Sequence, residues 1–251
     1  MERLSGVFSN YGRVARLYPA LLAIAPAMWT AVALHPQLIN STLGSWLTSS
    51  LAFFGGFTLF ANIARSRGKA AETRLRQLWG GWPTTIVLRH SDSTVDHFTK
   101  SRYHAKLQQI VGELALPTLI DEQKDSGRAD LCYGSATKRL IEQRRDPKYT
   151  LLHHENAQYG FRRNLLGLKP FGVATTFLAI TIVAGILFYD APARIHDVAS
   201  ILRDISDRWD LYAALGIDLL FLVMWLIIVR PEFVRQAANE YAIALFRTLD
   251  E

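Results

Sequence analysis

A chain of 251 residues in which half are apolar is long enough for one ordinary core, but its apolar residues are bunched into runs, which points to contact with lipid. The formal charge of +6, from 28 Lys and Arg against 22 Asp and Glu, calls for no specific nucleic-acid partner, because a membrane protein retains Lys and Arg on its cytoplasmic side for topology alone. A single cysteine, Cys132, excludes an internal disulfide and any multi-cysteine metal site.

In chain order, residues 1–16 form a segment carrying Arg13 and Arg16 just before an uncharged window, Leu17 to Leu34, that is long enough to cross a bilayer despite Pro19 and Pro26. A second uncharged window, Trp46 to Ala64, contains Asn62 and a central Gly55-Gly56 pair that would permit close helix packing. The two windows, within 17–64, make a first transmembrane hairpin. Residues 65–170 then hold 19 Lys or Arg against 11 Asp or Glu and form a basic domain. Within it Ala64 to Leu78 continues the second span as a helix, closed by Gly80, Gly81 and Pro83. Thr84 to Leu88 is β-branched enough for a short strand, Phe98 to Leu116 has a helical apolar rhythm, and Pro117 to Asp130 is polar enough for a loop. Helices follow over Ala136 to Arg145 and Leu151 to Leu168, the latter ending at the breakers Gly167, Pro170 and Gly172.

Phe171 to Tyr189 and Leu211 to Val229 supply the second hairpin, within 171–229; the last span carries one acid, Asp218. Between them residues 190–210 hold 3 Lys or Arg against 5 acids, so this loop is external, and 195–209 reads as an amphipathic helix with Val198, Ile201, Leu202, Ile205 and Trp209 on one face. Residues 230–251 begin with Pro231 and Glu232, a favourable helix start, and carry Val234, Ala238, Tyr241, Leu245 and Leu249 on one face, which should pack against the middle domain. The reading is an all-α membrane protein: two transmembrane hairpins flank a mainly helical cytoplasmic domain with at most one or two short strands. Both termini lie in the cytoplasm.

Candidate functional residues fall into three groups. Asp218 would cost at least ~2.5 kcal/mol facing lipid, so it faces a bundle or wet pore, or packs against Thr175, Thr176 or Asn62. The run from His153 to Asn164 places Glu155, Tyr159 and Arg162 on one helical face with Asn156 and Arg163 beside them, a ligand or partner contact in which a carboxylate and a guanidinium can pair, or else a juxtamembrane anchor. His90, His153 and His154 are weak metal candidates without diagnostic ligand spacing. No Walker loop, nucleophile elbow or dinucleotide glycine run is present, so neither an enzyme nor a cofactor is indicated.

With two hairpins around a cytoplasmic domain, the plan resembles the small four-span effectors of bacterial anti-phage systems, whose membrane parts oligomerise and permeabilise on a cytoplasmic signal. The phrases Leu88-Arg89-His90-Ser91-Asp92 and Glu155 to Asn164 also look like segments of bacterial membrane proteins of unassigned function. The resemblance implies a homo-oligomer in the bacterial inner membrane and assigns no residue a role. Residues 65–170 would then receive a nucleotide or an anionic protein. The alternatives are a membrane-anchored scaffold that docks a soluble partner and a membrane enzyme using a His/Asp cluster.

Overall fold

The computed structural model describes residues 9–36, 55–189 and 191–251. In chain order the helices are α1 (Asn10–Leu34), α2 (Gly56–Trp79), α3 (Pro83–Leu88), α4 (His97–Val111), α5 (Leu119–Lys124) and α6 (Ser126–Gln143). They continue as α7 (Thr150–Tyr189), α8 (Ala191–Arg194), α9 (Val198–Asp207), α10 (Trp209–Ile228) and α11 (Pro231–Arg247). No strand occurs among the described residues. Among the described residues three helices, α1, α7 and α10, are long and apolar enough to cross a membrane. Residues 46–54 of the second expected span lie outside the described residues; the rest, residues 55–64, runs from a turn at Gly55 into α2. There Gly55 has φ +72°, a left-handed turn that glycine adopts without strain.

The chain divides into two compact units. The first comprises residues 1–69 and 164–230. Its tightest feature is the crossing of α2 and α7, where a Cβ on Gly167 would overlap the Arg67 backbone and one on Gly68 would overlap Asn164. Backbones that approach this closely gain dispersion contacts that no larger residue would permit. Asn164 is fully buried beside them and donates from Nδ2 to the Ala15 carbonyl at 2.5 Å, inside a π-helical turn of α1, Arg13–Leu17. A second π turn, Met224–Ile228 in α10, carries the fully buried Trp225, whose ring occupies the space over Gly172. Lys169 donates to the Val229 carbonyl just beyond that turn, at 2.9 Å. These contacts explain why the expected break near Pro170 does not occur: α7 runs unbroken from Thr150 to Tyr189. Pro170 removes one N–H, but a packed, apolar helix tolerates that loss, and Gly172 is required for the tryptophan rather than for a bend.

The second unit comprises residues 70–163 and 231–251. Its core joins Val87 and Leu88 of α3, Tyr103 and Leu107 of α4, Tyr133 and Leu140 of α6, and Leu245 and Phe246 of α11. Thus the C-terminal stripe packs within the subunit, with Val234, Ala238, Leu245 and Leu249 buried, and burying Phe246 alone contributes about 1.5–3 kcal/mol. Two local expectations fail here. The expected strand over Thr84 to Leu88 is helix α3, because Pro83 at its first turn presets helical φ and burial against α6 and α11 overrides β propensity. The expected loop over Pro117 to Asp130 contains α5 and the start of α6. The reciprocal hydrogen bonds of Thr118 and Asp121 cap α5, and the Asp125 side chain accepts from the Arg128 N–H to cap α6.

The 195–209 segment is largely helical, with Asp197 capping α9 and Val198, Leu202 and Trp209 exposed. Its inner side is held by Asp204, which accepts from Arg208 and Tyr212, both at 2.8 Å.

The α2–α7 crossing should be sensitive to a single methyl group. Gly167→Ala is expected to lower stability by about 1–3 kcal/mol, as overpacking does, whereas Gly185→Ala, which meets nothing within 4 Å among the described residues, leaves it unchanged. Thermal unfolding of both variants in detergent checks this.

Candidate functional site

The first group lies within α1 and α10, which pack on each other in the first unit. Asp218 is fully buried. Its Oδ2 accepts from the Thr30 hydroxyl at 2.9 Å, while Oδ1 has no hydrogen-bond partner among the described residues. The partners proposed from the sequence are otherwise engaged. Thr175 donates to the Ala23 carbonyl and Thr176 to the Gly172 carbonyl, each at 2.7 Å, and Asn62 is exposed on α2. Helical position within the chain could not reveal Thr30, since the pairing depends on which helix α10 faces. A fully buried carboxylate with half of its accepting capacity unused is a site at which a proton or cation can be exchanged.

The second group is the Glu155 to Arg163 run on α7, in the second unit. The structure separates residues that a helical wheel places together. Tyr159 donates to Glu72 Oε1 at 2.7 Å, and Arg163 bonds the same oxygen at 2.8 Å. Arg163 also lies over the Tyr159 ring, 5.5 Å from its centroid. Arg162 turns instead to α11, bonding the Phe233 carbonyl at 3.1 Å and Gln236 Oε1 at 3.0 Å with its guanidinium 4.4 Å from the Phe233 centroid. The carboxylate of the cluster is therefore Glu72, and the expected pairing of Glu155 with this group is replaced. Glu72 had a signal in the sequence: it is the one acid in the basic run from Arg65 to Arg76. Asn156 and Tyr159 share a cavity wall.

The third group centres on a carboxylate that the sequence reading passed over. Glu122, buried at the end of α5, accepts from the N–H groups of His90 and Ser91 at 2.8 and 3.1 Å and from the Tyr133 hydroxyl at 3.0 Å. Burial alone would push the Glu122 carboxyl up, but these donors outweigh it and hold it below its ordinary value. The Tyr133 hydroxyl is pushed up by burial and by donating to that carboxylate. Lys100 is buried beside them, with Nζ on the carbonyls of Arg89 and Asp92, and burial lowers its pKa. His90 and His104 stack edge to face at 4.8 Å, their Nε2 atoms against the carbonyls of Pro117 and Leu88. Burial lowers the His104 pKa. His153 Nε2 lies 2.9 Å from the Asp146 carbonyl, and His154 is exposed. His90 and His153 are thus engaged with main chain, and among the described residues no three His, Cys, Asp or Glu side chains converge on a metal position.

Two outcomes follow from these contacts. Glu72→Ala leaves a part-buried guanidinium and phenol without their acceptor and is expected to cost about 3 kcal/mol in thermal unfolding, whereas Glu155→Ala changes stability by less than about 0.5 kcal/mol. Acid should weaken the second unit in two steps, because both His104 and Glu122 have depressed folded pKa values and the unfolded chain binds more protons below its own. Stability is complete above the unfolded histidine value of about 6.5, falls as pH drops through it, and falls again below the unfolded glutamate value of about 4.3. Glu122→Gln makes the second step smaller in a pH series of melting curves, leaving the part contributed by Asp96, Asp121 and Asp250, whose carboxyls are also held below their ordinary value. Comparison with protein-family models, with curated proteins and with solved structures found no match to this chain.

Proposed function

We propose that this chain is an oligomeric integral protein of a bacterial inner membrane that forms a pore or channel gated through its basic cytoplasmic part. The observation that carries the reading is Asp218: fully buried on a helix long and apolar enough to span a bilayer, held by Thr30 on one oxygen and unpartnered on the other. Inserting an acid there costs about 2.5–3.5 kcal/mol, and a single hydroxyl partner offsets about 1 kcal/mol, so stability does not account for its presence. Ion or proton passage does. Close packing of glycines and alanines in the same unit suits helices that slide or re-pack against one another. The excess of Lys and Arg in residues 65–170 attracts an anionic signal, a nucleotide or an acidic protein, and the resemblance to four-span effectors suggests anti-phage defence as the setting.

A second reading is favoured by one feature of the second unit. Phe98, Ile120 and Leu131 are 83%, 75% and 77% exposed, as expected if this unit docks a soluble partner and the spanning helices only localise it. In that scaffold Asp218 is dispensable.

Liposomes loaded with dye and carrying the purified protein decide between them. Release on addition of cytosolic extract or nucleotides, altered at least about tenfold in rate by Asp218→Asn, is the expected result for the pore. Vesicles that stay tight under every condition exclude it and leave the scaffold.

A further inference from the structure

The second unit contains a cavity of about 280 Å³ walled by Trp82, Gly134, Thr137, Asn156, Tyr159 and Tyr241. We propose that this cavity binds a small planar heteroaromatic molecule carrying one acidic group, stacked on its aromatic wall and hydrogen-bonded by Thr137 and Asn156.

Four features of the wall support this. The rings of Tyr159 and Tyr241 stack nearly parallel, 11° apart with centroids at 6.2 Å, and give the cavity an aromatic wall. Trp82 is 41% exposed at the same cavity, with the Arg76 guanidinium 5.2 Å from its ring. Thr137 is 3% exposed, and its Oγ1 has no hydrogen-bond partner. A threonine within a helix usually bonds a carbonyl of the preceding turn; this one does not, and an unmatched buried hydroxyl is a cost that a ligand bond would remove once χ1 rotation turns the oxygen into the cavity. Finally, Gly134 stands within α6, where glycine is unfavourable, yet a Cβ there would come no nearer than 3.9 Å to Thr85 Oγ1. Backbone packing does not require the glycine; open space in the cavity does.

The wall also defines the ligand. Three aromatic side chains select a flat π-system, and a hydroxyl with a carboxamide supplies both a donor and an acceptor, which suits the edge of a nitrogen heterocycle better than a hydrocarbon. Lys138, exposed at the same cavity, places one cation where an acidic substituent would emerge. The volume admits one ring system and excludes a polymer. As a signal for gating, the ligand rests on the pore reading above; as a binding site, the cavity does not.

Titration calorimetry on the full-length protein in detergent tests binding without reference to transport. Adenylate and indoleacetate are the probes, with cyclohexanecarboxylate and inorganic phosphate as controls that lack the ring or the charge-bearing ring. At least one probe should bind and both controls should not. Gly134→Leu, which fills the cavity, should abolish binding with the melting temperature kept. Thr137→Val should raise the melting temperature, since it removes an unmatched hydroxyl, and weaken binding about tenfold, the equivalent of one hydrogen bond. Should Gly134→Leu fail to fold, Thr137→Val alone decides. No binding of either probe, binding equal to that of the controls, or a Thr137→Val protein that melts lower and binds unchanged overturns the assignment. Binding with tight liposomes would overturn the pore and leave the site standing.

Discussion

The close crossing of α2 and α7 at Gly68 and Gly167 is the constraint on which the first unit depends. With no Cβ at either position the two backbones touch, and Asn164 fits into the same junction with its amide on Ala15. An amide buried without a partner would cost about 1–3 kcal/mol, so the π turn in α1 that presents the Ala15 carbonyl is part of the same arrangement. Trp225 over Gly172 repeats the pattern with α10: a π turn, a glycine and one large side chain. In a bilayer, lipid would supply little hydrophobic force between helices, and shape-fitted contacts of this kind would hold the unit together.

The second unit relies on a different balance. Its core is apolar and aromatic, but Lys100, Glu122 and Thr137 are buried with it. Lys100 and Glu122 are matched by main-chain carbonyls and N–H groups, which ties the segment from Arg89 to Asp92 to α4 and α5. Glu72 does similar work for Tyr159 and Arg163. Thr137 departs from the rule, and it does so at a cavity, which is why the cavity and not the histidines draws the ligand assignment.

Asp218 and Thr137 are alike in physical terms. Each is buried, and each leaves an oxygen unmatched among the described residues. Unmatched groups of this kind weaken a fold and are best understood through what they do. One suits passage of charge through a helical bundle, the other recognition of a small molecule.

Length of apolar runs and the period of the apolar residues were enough to identify the helical class, three of the four expected spans as helices able to cross a membrane, the amphipathic helix within 195–209 and the inward stripe of α11. These are local properties, written in consecutive residues and preserved whatever the chain packs against. Capping chemistry was legible too, in Thr118 with Asp121 and in Asp125, although polarity alone made that stretch resemble a loop. The partners were not legible. Thr30 lies 188 residues from Asp218, Glu72 lies 87 from Tyr159 and 91 from Arg163, and no periodicity links positions so far apart. Likewise Pro170 and Gly172 look like breakers in one dimension, and only the tryptophan that fills the space beside α7 makes the glycine a packing residue in an unbroken helix. Element type follows from short-range sterics and burial pattern, whereas the pairing of buried polar groups is decided when distant segments compete for the same donors, and that competition exists only in the folded chain.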